Sequence, residues 1–151
     1  MGEEKKLILL EDKLKDIVAV EKLWSSKDHL FLACSGGVDS VVLAHLLRAA
    51  GFSFELLHCN FNLRGEESMR DEFFVRKLAE ELNVAVFVKS FDTKTEMVLL
   101  GMGVQEAARK LRYDWFSEMI NSKKEKGVNA LLLTAHHLND QAETIAMNFF
   151  R

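Results

Sequence analysis

No stretch of this 151-residue chain approaches twenty apolar residues, which excludes a membrane-spanning helix. The first residues, Met1-Gly2-Glu3-Glu4-Lys5-Lys6, lack the basic, then apolar, then small order of a secretion signal. Cysteine is scarce. Cys34 and Cys59 are the only two, and they stand in no CxxC or other metal-ligand spacing. A reducing cytoplasm is the simplest compartment. Proline is missing altogether, where about 5% is usual, and nothing in the pattern accounts for that. Charge excess is small: 20 Lys and Arg stand against 23 Asp and Glu, a net charge of −3. The bulk charge therefore does not announce a nucleic-acid binder, although a local basic patch can hide in an acidic average. No internal repeat or low-complexity linker occurs. At 48% hydrophobic residues the chain can bury a substantial core, and its length suits one domain.

What is present is concentrated in Ser35-Gly36-Gly37-Val38-Asp39-Ser40. An apolar run, residues 30–34, precedes these six residues, and a helical pattern, residues 41–50, follows them. Strand, tight glycine turn and helix start together form an anion cradle. The glycines allow positive φ and close backbone approach. The free N–H groups of the first helical turn then face the anion, backed by the helix dipole. Ser35 and Ser40 add hydroxyls. The segment thus predicts phosphate binding at the carboxyl end of a strand. It is not a Walker A loop, because no lysine occurs between Lys27 and Lys77. It is not the dinucleotide fingerprint, because the third glycine is missing.

Along the chain, Leu10, Leu14, Ile17, Val18 and Leu23 predict an amphipathic helix over 10–25. Strands are expected at 29–34, 54–59, 84–88 and 130–135. Helices are expected at 40–50, 69–82 and 105–122, with 93–101 ambiguous, and a last helix from Asn139, a reasonable N-cap, toward Arg151. Strands alternating with helices predict an α/β fold: a three-layer parallel sheet with helices on both faces. Ligands of such sheets bind beyond the carboxyl ends of the strands. There the strands deliver Ser35, His58 with Asn60, Phe91 with Asp92, and His136 with His137. The pattern from 139 to 151 has no glycine or proline stop after it. The chain is therefore expected to be a single domain over 1–151 and a fragment of a longer protein.

Three further segments carry polar groups. Thr134-Ala135-His136-His137-Leu138-Asn139-Asp140-Gln141-Ala142-Glu143-Thr144 closes the last strand and opens a helix. Metal binding by His136 and Asp140 and plain helix capping are both open readings. Glu106-Ala107-Ala108-Arg109-Lys110-Leu111-Arg112-Tyr113 places Arg109 and Arg112 on one helical face with Glu106. Arginine grips phosphate with a planar fork, but a solvent-exposed Glu106–Arg109 ion pair is the alternative. His58-Cys59-Asn60-Phe61-Asn62-Leu63-Arg64 follows the second strand as a polar loop at the ligand-bearing end. Cys34 and Cys59 read as small buried side chains rather than reactive thiols.

Ser-Gly-Gly-x-Asp-Ser resembles the signature of the PP-loop ATP pyrophosphatases. With the other three segments, in order, the chain looks like the tRNA(Ile)-lysidine synthetases within that group, over about residues 10–151. Phe61 departs from the family pattern, which has a second histidine there. The resemblance implies an adenine nucleotide alpha hydrolase-like (PP-loop) fold and an ATP-dependent ligase active in tRNA modification. The wobble cytidine of an isoleucine tRNA with a CAU anticodon would attack the α-phosphorus of ATP and release pyrophosphate. Free lysine would then displace AMP. Ser35, Gly36, Gly37, Val38, Asp39 and Ser40 would bind the nucleotide, and Asp39 would hold Mg²⁺. Asp39, Arg109, His136 and Asp140 would be catalytic, and Asn60, Arg64 and Arg112 would contact substrate. The resemblance also implies that tRNA-gripping regions follow in the longer protein. Oligomeric state stays open, a homodimer included. The rivals are a tRNA thiolase, an amidotransferase-type synthetase and a non-catalytic nucleotide-binding module.

Overall fold

The computed structural model describes residues 2–135 and 147–150. The elements are α1 (Gly2–Glu21), β1 (His29–Ala33), α2 (Val38–Ala49), β2 (Glu55–Asn60), α3 (Glu66–Leu82), β3 (Val86–Ser90), α4 (Thr93–Leu100), α5 (Val104–Glu125), β4 (Ala130–Ala135) and β5 (Met147–Phe150). The strands form one sheet in the order β3-β2-β1-β4-β5. The first four run parallel, as the alternation of elements predicts, and β5 lies antiparallel on the edge of β4.

The strand sequences dictate the layers. Successive side chains on a strand point to opposite faces. Leu30 and Leu32 of β1, Leu56 of β2 and Leu131 and Leu133 of β4 pack with Leu14 and Val18 of α1, Leu43 and Leu47 of α2, and Val75 and Leu78 of α3. Phe31, Leu57 and Leu132 face the other way and pack with Trp115, Phe116 and Ile120 of α5. Both faces are therefore covered, which is why these strands read as continuous apolar runs.

Most elements fall within three residues of their expected bounds, and two regions differ by more. The first helix starts at Gly2 rather than near residue 10, because Glu3 to Leu10 are nearly all strong helix formers. It ends at Glu21 rather than near 25: Lys22 adopts φ +50, while the Leu23 N–H reaches back to the Val18 carbonyl at 3.2 Å, a tight left-handed helix stop. At the other end, the helix expected toward Arg151 is replaced over 147–150 by β5. The open edge of β4 offers unpaired backbone groups, and Phe149 and Phe150 are good strand residues, so over these four residues pairing wins over the helical pattern. The segment 136–146 lies outside the described residues.

Candidate nucleotide site

β1 is the hinge of the topology. Chain order runs from β1 through β2 to β3 on one side, while β4 pairs with β1 on the other. A crevice opens at the carboxyl ends of such strands, where the order reverses. Here it is a cleft of about 640 Å³, within the range of small-molecule sites. Its base is Ala33, Cys34, Leu57 and Cys59. Ser35, Gly37, Val38, Asp39 and Ser40 form one wall, Phe61, Arg112, Tyr113 and Phe116 another, and Thr134 and Ala135 close the β4 side.

The loop wall is built from backbone. Gly36 sits at φ +92, a conformation that L side chains rarely adopt, and a Cβ there would touch Val75, Phe74 and Asp71 of α3 at 3.7–3.9 Å. Gly37 is the N-cap of α2, and no side chain caps the helix. The amides of Val38 and Ser40 therefore lack intrahelical acceptors at the positive end of the helix dipole, beside the cleft. Both serines also bond within the turn itself. Ser35 Oγ accepts from the Gly37 N–H at 3.2 Å. Ser40 Oγ, buried, donates to the Gly37 carbonyl at 3.0 Å and receives the Cys34 thiol at 3.6 Å. Both hydroxyls thus brace the turn. Asp39 stands in the first turn of α2 and supplies a carboxylate to the cleft wall. No group of three or more metal-ligating side chains occurs among the described residues. The donor set suits a cation shared between one carboxylate and phosphate oxygens rather than a closed protein cage.

The opposite wall belongs to α5. Arg112 lines the cleft, and its buried Nε has no hydrogen-bond acceptor among the described residues. A buried guanidinium N–H without an acceptor is costly, and an incoming oxyanion would satisfy it. Arg109, one turn away and exposed, lies with its guanidinium 5.4 Å from the Tyr113 ring, and Arg112 lies 5.3 Å from the same ring. Among the ion pairs of the described residues none joins Arg109 to Glu106, and the guanidinium lies by the Tyr113 ring instead. Phe61 stacks on Phe91 with centroids 5.5 Å apart and planes 18° apart, and Phe91 meets Trp115 edge-on. The position that differs from the family pattern is therefore an aromatic panel of the cleft.

Not every expected residue reaches the cleft. Asn60 is buried within β2, where its amide nitrogen donates to Glu72 Oε1 at 3.1 Å and its oxygen accepts from the Asn62 N–H at 3.0 Å. Its capacity is used inside the fold. That hydrogen bond, more than the nearby Arg76, holds the Glu72 carboxyl below the usual range. Arg64 is exposed and paired with Asp71 and Glu67 of α3. His136 and Asp140 lie outside the described residues. Burial pushes the Cys59 thiol up to about 12, although Arg112 and Lys89 pull the other way, and burial also raises Cys34. Both thiols stay protonated at neutral pH, so neither is poised as a nucleophile.

Comparison with known proteins agrees with this geometry. A family model described as a PP-loop domain matches residues 8–151. The chain is 38% identical over 143 residues to the tRNA(Ile)-lysidine synthase of Bacteroides thetaiotaomicron, covering 95% of this chain and 33% of that protein. It is 41% identical over 130 residues to that of Parabacteroides distasonis, and 37% identical over 145 residues to that of Chlorobaculum tepidum. These matches cover 86% and 93% of the chain but 29% and 43% of the relatives, so the chain spans about a third of the length of the curated proteins it matches. Among solved structures, the NH3-dependent NAD synthetase of Campylobacter jejuni superposes with a TM-score of 0.57 at 18% identity, over 87% of this chain and 56% of that one, and shares the fold. A glycine turn braced by its own serines, an uncapped helix start beside it and a match over nearly the whole sequence lead to one assignment: the chain belongs to the PP-loop domain family.

Proposed function

We propose that this chain is the ATP-binding and adenylating part of a tRNA(Ile)-lysidine synthetase acting in the cytoplasm. The observation that carries the reading is the uncapped start of α2 facing the Nε of Arg112 across one cleft. Such a site favours a polyanion, and the relatives at 37–41% identity bear the name tRNA(Ile)-lysidine synthase.

In the proposed reaction the ring carbonyl oxygen of the wobble cytidine attacks the α-phosphorus of ATP. The bond from that phosphorus to the bridging oxygen breaks, and pyrophosphate leaves with the electron pair. The amine of free lysine then attacks the activated ring carbon, loses a proton, and AMP departs. Phosphoryl-type transfer asks a protein for positioning and charge neutralisation more than covalent chemistry. The α2 amides hold the phosphate tail, with Gly36 giving the turn its left-handed bend. Asp39 holds Mg²⁺, which supplies positive charge against the phosphate oxygens. Arg112 faces the charge that develops at the α-phosphate, and Arg109 extends the cationic wall toward RNA. His136, which follows Ala135 in sequence, and Asp140 are assigned to the lysine half-reaction. Asn60 and Arg64 serve the scaffold around α3.

The deciding measurement is ATP–pyrophosphate exchange on the full-length protein, with purified isoleucine tRNA bearing the CAU anticodon, with and without lysine. Exchange that requires the tRNA, and lysidine formation once lysine is added, are the expected results. Binding of ATP without pyrophosphate release under those conditions would instead identify a non-catalytic nucleotide module.

A further inference from the structure

His58 is a buried histidine, 3% exposed, that no step above uses. It stands on β2 between Leu56 and Asn60, and alternation puts all three side chains on the face covered by α2 and α3. The β1–β2 ladder runs through Phe31↔Glu55, Leu32↔Leu56 and Ala33↔Leu57. One more rung follows, from the Cys34 N–H to the Leu57 carbonyl at 2.9 Å, and the chain then leaves the sheet for the phosphate loop. The last carbonyl before that departure, on Cys34, accepts from His58 Nδ1 at 2.7 Å. A carbonyl only accepts, so Nδ1 carries the proton in either charge state of the ring.

We propose that His58 is a positioning residue for the phosphate loop, acting through the Cys34 carbonyl. The Cys34–Ser35 peptide is one planar unit in which C=O and N–H point opposite ways. A carbonyl pinned toward β2 turns the Ser35 N–H away from β2, toward the β4 side where Ser35, Thr134 and Ala135 line the cleft. The Ser35 N–H has no acceptor among the described residues, so its aim is free to serve a ligand. The imidazole therefore sets the direction of the first amide of the cradle, one peptide upstream of Gly36. The backing is firm: Asn60 two residues on is tied to Glu72, and Val75 of the same helix lies against Gly36. The inference rests on the reading of this loop as a nucleotide cradle.

Two substitutions separate hydrogen bonding from core filling in the full-length protein. His58→Leu keeps apolar volume and removes the donor. His58→Asn loses volume but places an amide N–H two bonds from Cβ, as Nδ1 is. Two readouts are taken: amide hydrogen exchange across residues 35–39 without ligand, and the Kd for ATP with magnesium. The expected result is faster loop exchange and about a tenfold weaker Kd in His58→Leu, as befits a buried carbonyl left unsatisfied, with both largely restored in His58→Asn. Wild-type protein should also show a slowly exchanging imidazole Nδ1–H resonance that shifts on adding ATP, a measurement that stands even where His58→Leu does not fold. Losses in His58→Asn equal to or larger than those in His58→Leu would reduce the residue to core packing, and so would an unchanged loop in both, or a rapidly exchanging imidazole proton. If wild-type protein binds no ATP while loop exchange responds as described, the positioning role stands and the nucleotide reading fails.

Discussion

The two ends of the sheet treat charge in opposite ways. At the amino ends of the strands, His29 of β1 faces Glu55 of β2, Lys123 approaches the same carboxylate at 4.0 Å, and Asp28 accepts from Asn129 at 3.0 Å and from the Ser25 N–H at 2.8 Å. Of the groups lining the cleft there, about 350 Å³, the titratable trio Asp28, His29 and Glu55 is already engaged with neighbours. At the carboxyl ends the capacity is left over: the amides of Val38 and Ser40 at the start of α2 and the Nε of Arg112 open onto one cavity. Both ends carry polar side chains in similar number, so polarity alone does not mark a site. Unspent hydrogen-bonding capacity around a shared space does, because a ligand is the cheapest remaining way to satisfy it.

Substitutions at the two ends should therefore differ in kind. The largest effect is expected for Asp39→Asn, which keeps the shape of the cleft wall but removes its carboxylate. Pyrophosphate release should fall at least about a hundredfold, with circular dichroism and melting unchanged. Near-normal turnover would make Asp39 a helix-start residue only. Next comes Gly36→Ala. The space would accept a methyl group, so the penalty is the left-handed backbone, about 1–2 kcal/mol, seen as a lower Tm together with weaker ATP binding. Arg112→Lys should cost about tenfold in kcat/KM, since an ammonium cannot present the fixed N–H fork. An equal loss from Arg109→Lys would blur the distinction between the cleft-lining and the outer arginine.

Glu72 gives the pH dependence. Its folded pKa lies below its unfolded value, so its stabilisation is present above the unfolded pKa and disappears as pH falls through the folded one. Glu72→Gln should flatten the acid limb of a stability–pH curve measured by urea unfolding, leaving neutral-pH activity intact. The smallest effect is expected at the other end of the sheet. Glu55→Gln should lower stability by under about 1 kcal/mol and leave turnover untouched. A change in nucleotide binding there would break the contrast between the two ends.

How much of this could be read from the sequence depends on whether the deciding partner is local. The strand–turn–helix around Ser35 to Ser40 was legible because glycine turn, apolar strand and helix start lie within one short segment. So was the parallel core, whose central strands β1 and β4 are apolar runs that need cover on both faces. Asn60 was not legible. A polar side chain at a strand end reads as a ligand contact, and only Glu72, twelve residues away on another element, shows that it is spoken for. The serines were half legible: their presence in the loop was plain, but their commitment to the Gly37 peptide needed the turn itself. Helical spacing put Arg109 and Arg112 on one face without telling which of them the cleft would take in. The strand at 147–150 escaped because its residues also continue the helical pattern from Asn139, and the edge of β4, distant in sequence from that pattern's start, decides locally.

The Ser40 hydroxyl bound to the carbonyl three residues before it has one more consequence. A phosphate chain arriving at this bend meets a mould that is set before it is filled. Association should then proceed in a single kinetic phase whose rate grows linearly with nucleotide concentration, without the saturating lag of a loop that must first curl around its guest.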